Sequence, residues 1–155
     1  MLKVILLSCL FLASNASAES MEELKVRAAQ GDSGAQSSLG FIYANGEGVD
    51  RDLKVAIKWW QLAAEQGNAV AQRNLGIAYT DGDGTDRDYS EAAKWYRLAA
   101  EQGDASAQRN LGYSYYNGEG IDQDYKEAIK WFRLAADQGD SDAQLMVGFM
   151  YGNGE

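Results

Sequence analysis

The sequence predicts an all-α protein, a solenoid of 36-residue helix-turn-helix repeats. The main observation is internal repetition: residues 35–67 recur with few changes at 71–103 and 107–139, and a further copy begins at Ala143. Glycines fall in register in every copy, and the chain contains no proline. Repetition at this period is typical of stacked supersecondary units that cannot bury their apolar faces alone. Helices that end at glycine turns and contain no proline fit this architecture.

Composition narrows the classes of function. The formal net charge is −9, which argues against binding to nucleic acid or to an anionic membrane surface. The chain has no histidine, and its one cysteine, Cys9, lies close to the N-terminus. A Cys/His zinc site, a Ser-His-Asp triad and a Cys-His pair are therefore not expected. With no nucleophile–base constellation in the sequence, we expect no cofactor, no metal and no enzymatic activity.

Residues 1–18 have the pattern of a secretory signal peptide. Lys3 precedes an apolar run at 4–13, and Ala-Ser-Ala at 16–18 forms a small-residue cleavage site. The apolar run is shorter than the roughly 20 residues that a membrane-spanning helix needs. We therefore expect cleavage near Ala18, no stable insertion into a membrane, and a mature protein that is periplasmic or secreted.

A short helix is predicted at 19–31, ahead of the first full repeat. Ser20 and Glu23 have the spacing of a capping box, which marks the start of a helix. Glu23 stands where the next repeat has Trp59, so the outer face of this helix is polar and suits an N-terminal cap of the array. The predicted repeats that follow are 32–67, 68–103, 104–139 and a partial repeat at 140–155.

Each repeat is predicted to hold two helices, named helix A and helix B. Helix A follows an N-cap such as Asp32, and helix B follows an N-cap such as Asp52. Gly40 and its copies lie inside helix A at a cost of about 1 kcal/mol each, which indicates a close helix–helix approach. On the inner face of helix B we expect one large indole beside small alanines. The residues predicted to fill this place are Trp59, Trp95 and Trp131.

The repeat reads A-Q-x-x-L-G-x-x-Y-x-x-G-x-G, followed by D-x-x-x-A-x-x-W-[WYF]-x-L-A-A-x-Q-G. This spelling resembles the Sel-1-like repeat (SLR) family over residues 35–155. Related tetratricopeptide repeats are 34 residues long with a proline near the end, and this chain has neither feature. The resemblance implies a right-handed α/α solenoid that acts as an adaptor or scaffold in protein–protein interaction. Many bacterial members are exported.

The resemblance also implies an alternative function. One subset of the family carries paired cysteines in each repeat and is connected with penicillin binding or β-lactam hydrolysis. This chain lacks those cysteines in every repeat. A cell-envelope enzyme, or an enzyme subunit, acting on peptidoglycan or β-lactams is therefore the second hypothesis, behind the non-catalytic adaptor.

If helix A lines the concave face, as the resemblance implies, the positions between its packing residues face a ligand. The positions in the first repeat are Ser37, Ser38, Phe41 and Ala44. Arg73 and Arg109 stand one repeat apart, so their guanidinium groups could hold an acidic group or the free C-terminus of a peptide. Tyr113 and Tyr116 would supply flat apolar anchors. The predicted partner-binding residues are Arg73, Asn74, Ile77, Arg109, Asn110, Tyr113 and Tyr116.

Two other interpretations of charged residues stay open. Arg-Asn-Leu-Gly is also the ordinary spelling of the repeat, with the asparagines bonding neighbouring backbone. The acidic loop at 81–88 resembles a calcium loop, because alternating carboxylates can bind a hard cation. The loop lacks the bidentate glutamate of such sites, and its copy in the first repeat begins with Asn45 and Gly46. We favour turn chemistry and helix capping for these acids.

The last predicted helix is apolar almost all round. The residues responsible are Leu145, Met146, Val147, Phe149 and Met150. An exposed apolar face of this kind is typical of an interaction site. Either the sequence is part of a longer array, or this uncapped edge docks on a partner or on a second copy of the chain by self-association.

Overall fold

The computed structural model describes residues 20–153, and the predicted signal peptide at 1–18 lies outside the described residues. This part of the chain is all helical, without a strand. Its eight helices are α1 Met21–Ala29, α2 Ser33–Asn45, α3 Leu53–Glu65, α4 Ala69–Asp81, α5 Tyr89–Glu101, α6 Ala105–Asn117, α7 Tyr125–Asp137 and α8 Ser141–Asn153. The even-numbered helices are helix A of successive repeats, and α3, α5 and α7 are helix B. The predicted all-α solenoid is confirmed.

The helix boundaries follow from capping residues. Ser20 and Glu23 form the predicted capping box of α1. The Asp32 carboxylate accepts a hydrogen bond from the Ala35 backbone N–H at 2.9 Å, and the same bond recurs at the start of each helix A. Helix A then ends at a left-handed glycine: φ is 73° at Gly46, and the copies match it. Only glycine adopts this backbone conformation without a steric penalty, so the repeated glycines fix the turn between helices A and B.

The helices stack in chain order. Each packs against the helix before it and the helix after it, as expected of a solenoid, and α2 also contacts α4, the helix A of the next repeat. The core consists mainly of alanines and one leucine per helix A, and Leu39, Leu75 and Leu111 are fully buried. Within residues 20–153, no helix is both long and apolar enough to cross a membrane.

The interior glycines of α2, α4 and α6 are contact points, as predicted, whereas their copy Gly148 in α8 meets no such ring among the described residues. A Cβ atom added at Gly112 would lie 2.8 Å from Cδ1 and Cε1 of Phe132, inside van der Waals contact. Gly40 and Gly76 contact the rings of Trp60 and Tyr96 in the same way. Each of these three glycines therefore lets an aromatic ring of helix B lie directly on the backbone of helix A in its own repeat.

The ring on the glycine is one residue beyond the predicted tryptophan. Trp60 is 7% exposed, whereas Trp59 is only half-buried and packs against α1, which precedes its repeat, and against α2, the helix A of its own repeat. Adjacent helical residues point about 100° apart, since an α-helix has 3.6 residues per turn, so the two indoles face different neighbours. Trp131 likewise joins the buried cluster of α5 and α6. The predicted tryptophans thus connect successive repeats, and the following aromatic residue connects the two helices within a repeat.

A ladder of glutamines also joins the repeats. The Gln102 Nε2 donates to Gln72 Oε1 at 2.7 Å, and Gln72 Nε2 donates to the Ala64 carbonyl at 3.1 Å. Gln72 is 4% exposed, so both bonds lie in the interior. The same pair of bonds recurs one repeat earlier and one repeat later. Buried amides that are hydrogen-bonded in this way fix the register between neighbouring units.

Candidate functional site

The predicted partner-binding residues lie on two successive A helices. Arg73, Asn74 and Ile77 belong to α4, and α6 carries Arg109, Asn110, Tyr113 and Tyr116. Ile77 is 39% exposed, and the other six are partly buried. The side chains of these positions therefore line one surface of the array, called here the helix-A face.

The two arginines are paired with aspartates of the next repeat. Arg73 Nη1 lies 2.8 Å from Asp104 Oδ2, and Arg109 Nη1 lies 2.9 Å from Asp140 Oδ2. The other oxygen of Asp104 accepts the Ala107 N–H at the start of α6. Each guanidinium thus bonds a helix-capping carboxylate across the interface between two successive A helices, which is called here a seam. A peptide carboxylate would have to compete with these aspartates.

The tyrosines of α6 are held by ring contacts. Tyr113 packs edge-on against Phe132, with ring centroids 5.0 Å apart and an interplanar angle of 78°. Burial raises the pKa of the Tyr113 hydroxyl, and the nearby carboxylate of Asp142 raises it further. Tyr116 lies 5.3 Å from the ring of Tyr125 on α7. Both side chains remain partly exposed, so each can contribute one surface to a contact.

Asn110 differs from its copy Asn74. The Asn110 side chain lies near the Tyr96 hydroxyl, and this hydroxyl is 3.0 Å from the Thr80 hydroxyl. Burial raises the pKa of Tyr96 above that of a free tyrosine. In the preceding repeat the ring is that of Trp60 and the threonine is replaced by Ala44. No side-chain hydrogen bond of Asn74 is found among residues 20–153.

A groove of about 350 Å³ lies between α2 and α4. It is lined by Ser37, Ser38, Phe41, Ile42, Val70, Arg73 and Asn74. A smaller hollow of about 110 Å³ lies on the other side of Asn74, next to Trp60 and Ile77. Phe41 and Val70 are 52% and 46% exposed, so the rim of the larger groove is apolar. The groove contains Arg73 and Asn74 of the predicted partner-binding residues, together with three of the ligand-facing positions predicted in the first repeat. It does not include the predicted residues of α6.

Sequence reasoning did not single out Val70 and Ile42. Val70 is the second residue of α4, where an exposed apolar side chain has no packing role within its own helix. Its copies are Ser106 and Asp142, so it departs from the repeat pattern. The sequence signal that could have indicated this groove residue is an apolar side chain at an exposed helix start where the other repeats have none.

The comparisons with known proteins identify the class. The family model described as Sel1 repeat matches residues 33–68, 69–104, 105–140 and 141–155. The chain therefore belongs to the Sel1 repeat family, helical-repeat proteins that generally mediate protein–protein interaction and are typically non-enzymatic scaffolds. Among curated proteins, none matches the chain.

Solved structures show the same fold. A protective antigen of uropathogenic Escherichia coli strains, c5321, is 42% identical with a TM-score of 0.85 over 86% of this chain. A Sel1 repeat protein from Oxalobacter formigenes is 42% identical with a TM-score of 0.82 over 86%. The chain spans 29% and 53% of the lengths of these two proteins. Cysteine rich protein B of Helicobacter pylori shares the fold, with 24% sequence identity and a TM-score of 0.63. The match covers 82% of this chain and 97% of the Helicobacter pylori chain.

Proposed function

We propose that this chain is an exported, non-catalytic module that binds a polypeptide partner on its helix-A face. The observation that carries the proposal is the groove between α2 and α4, together with the smaller hollow beside Asn74. Ligand sites are typically concave and mostly apolar, with a few polar groups that fix orientation. The rim residues Phe41 and Val70 and the groove residues Ser37 and Asn74 supply both features.

The opposite face offers a weaker surface. Helix B exposes one leucine per repeat, and Leu62, Leu98 and Leu134 are 46%, 44% and 42% exposed. Single exposed leucines are normal on protein surfaces. These leucines line neither the groove between α2 and α4 nor the hollow beside Asn74. The leucines of helix B therefore provide matched control positions, equally apolar and equally exposed.

The test is capture of a partner by two double variants. Phe41→Glu with Ile77→Glu places two charges on the helix-A face, and Leu62→Glu with Leu98→Glu places two charges on helix B. Immobilised protein is incubated with a cell-envelope fraction, cross-linked, and the bound polypeptides are quantified. We expect the first variant to lose a stoichiometric partner that the parent and the second variant retain. Loss in both variants, or in the helix-B variant alone, would refute the assignment of the face.

Export is a separate part of the proposal. Its support is the signal-peptide pattern at 1–18. Expression in a bacterium followed by fractionation and N-terminal sequencing tests it. We expect periplasmic or secreted protein that begins just after Ala18, and an uncleaved chain confined to the cytoplasm would overturn this part.

A further inference from the structure

The three seams between successive A helices are not equivalent. In the seam between α4 and α6, Arg73 bridges to Asp104, and in the seam between α6 and α8, Arg109 bridges to Asp140. The positions one repeat earlier, in the seam between α2 and α4, are occupied by Ser37 and Asn68. Neither can form the ion pair: serine is short and uncharged, and the Asn68 amide already bonds the Ala71 N–H and the Ser33 carbonyl.

The missing bridge coincides with the groove. The α2–α4 seam, which lacks the arginine–aspartate pair, contains the 350 Å³ groove, and Ser37 lines it. Ser37 is 8% exposed, and no hydrogen bond of its hydroxyl is found among residues 20–153. Asn74 also lines the groove with an amide that makes no side-chain hydrogen bond in this part of the chain. The Ser37 hydroxyl, in a buried residue, and the partly buried Asn74 amide are thus available to a ligand. A polar group with so little access to water favours a bonded partner.

The walls of the groove favour an aromatic group. Phe41 presents an exposed ring, with Val70 beside it on the rim. Arg73 contributes a planar guanidinium, a group that stacks well on aromatic rings. Asp104 balances its charge at 2.8 Å, so the groove offers no uncompensated cation to attract an anion. A neutral ring between Phe41 and Arg73 would gain contacts from both.

We infer that this groove is a subsite for an aromatic side chain of an extended partner segment, with Ser37 and Asn74 bonding the adjoining peptide group. Serine supplies a donor and an acceptor, and the asparagine amide supplies both as well, which matches one backbone N–H and one C=O. The inference deepens the proposed function and rests on it. It replaces an acidic peptide group with an aromatic residue as the recognised feature.

The test uses small probes that each represent one peptide residue. N-acetyl-tyrosinamide, N-acetyl-alaninamide and N-acetyl-glutamic acid amide are titrated into ¹⁵N-labelled protein, and backbone shifts are followed by NMR. We expect the tyrosine probe to shift the resonances of Ser37, Phe41, Val70 and Asn74 in a saturable manner. The alanine and glutamate probes should shift the same resonances at least about tenfold more weakly.

A second variant tests the groove by introducing the arginine–aspartate pair that the chain has in its other two seams. Ser37→Arg with Asn68→Asp introduces the pair that bridges the other two seams, so it should fold, melt at or above the parent temperature, and fill the groove. We expect it to weaken binding of the tyrosine probe at least about tenfold. The control, Ser90→Arg with Asn117→Asp, makes the same changes of residue type at exposed positions outside the groove and should bind like the parent.

The outcomes separate this inference from the proposed function. Equal shifts from all three probes, preference for the glutamate probe, or full binding by the variant with Ser37→Arg and Asn68→Asp would overturn the aromatic subsite. If the probes fail while charges at Phe41 and Ile77 still abolish partner capture, the subsite is wrong and the binding face stands. If the tyrosine probe binds and the face variants capture normally, the groove binds aromatic groups but the proposed function is wrong.

Discussion

Substitution of the interior glycine of α6 tests the packing that defines the repeat. In Gly112→Ala the new methyl group would lie 2.8 Å from two carbons of the Phe132 ring, against about 3.5–4.0 Å for an ordinary contact. Phe132 is fully buried and cannot swing into solvent, so the ring or the helix must shift. Overpacking of this kind costs about 1–3 kcal/mol, while replacing glycine by alanine inside a helix gains about 1 kcal/mol.

The matched control is Gly148→Ala, the same substitution one repeat later. Apart from its chain neighbours and the backbone of α8 itself, no described atom lies within 4 Å of the Cβ position at Gly148, so only the gain in helix propensity remains. We expect Gly148→Ala to raise the free energy of unfolding by about 0.5–1 kcal/mol and Gly112→Ala to lower it by up to about 2 kcal/mol. Urea denaturation followed by circular dichroism measures both. A Gly112→Ala protein as stable as Gly148→Ala would refute the account of ring-on-glycine packing.

Three further substitutions probe other parts of the array. Trp131→Ala should lower the free energy of unfolding by about 3–5 kcal/mol, because it opens the interface with the preceding repeat; thermal melts measure it. Gln72→Ala removes one of the two acceptors of the Gln102 amide and the buried donor to the Ala64 carbonyl, and should cost about 1–3 kcal/mol in the same assay. The Ala35 N–H, and secondarily Arg27, holds the pKa of Asp32 below its ordinary value. Since the folded pKa is the lower one, the stability due to Asp32 is present near neutral pH and is lost as the pH falls below about 4. The Asp32→Asn variant should therefore lose less stability between neutral and acidic pH than the parent.

The fold could be predicted from the sequence because its determinants are local and repeated. The N-cap of Asp32 and the left-handed Gly46 act within a few residues, and the period repeats them along the chain. The close approach at Gly40 was also predictable, since a helix-breaking residue that recurs in register needs a packing reason. The sequence did not predict which of the two adjacent indoles lies on that glycine. Trp59 and Trp60 differ by one helical step, and both contact neighbouring helices.

The candidate site was harder to predict because its geometry depends on contacts between repeats. Arg73 meets Asp104 across a separation of 31 residues, and only the stacking of α4 on α6 shows that the two are paired. The glutamine ladder spans repeats in the same way and leaves no local signal. The groove lies where Ser37 replaces the arginine of the later repeats. The effect of this replacement can be recognised only when the arginine–aspartate pairs between the other A helices are known.

Site-specific photo-cross-linking tests the central claim most directly. A photoreactive amino acid is placed at Phe41 on the helix-A face, or at Leu62 on helix B as a control of similar exposure. Both proteins are exposed to ultraviolet light with the envelope fraction, and the products are analysed by mass spectrometry. We predict a cross-link from position 41 to one defined polypeptide segment, rich in aromatic residues, and none from position 62. Cross-linking from position 62 alone, or none from either position, would contradict a helix-A face that binds protein.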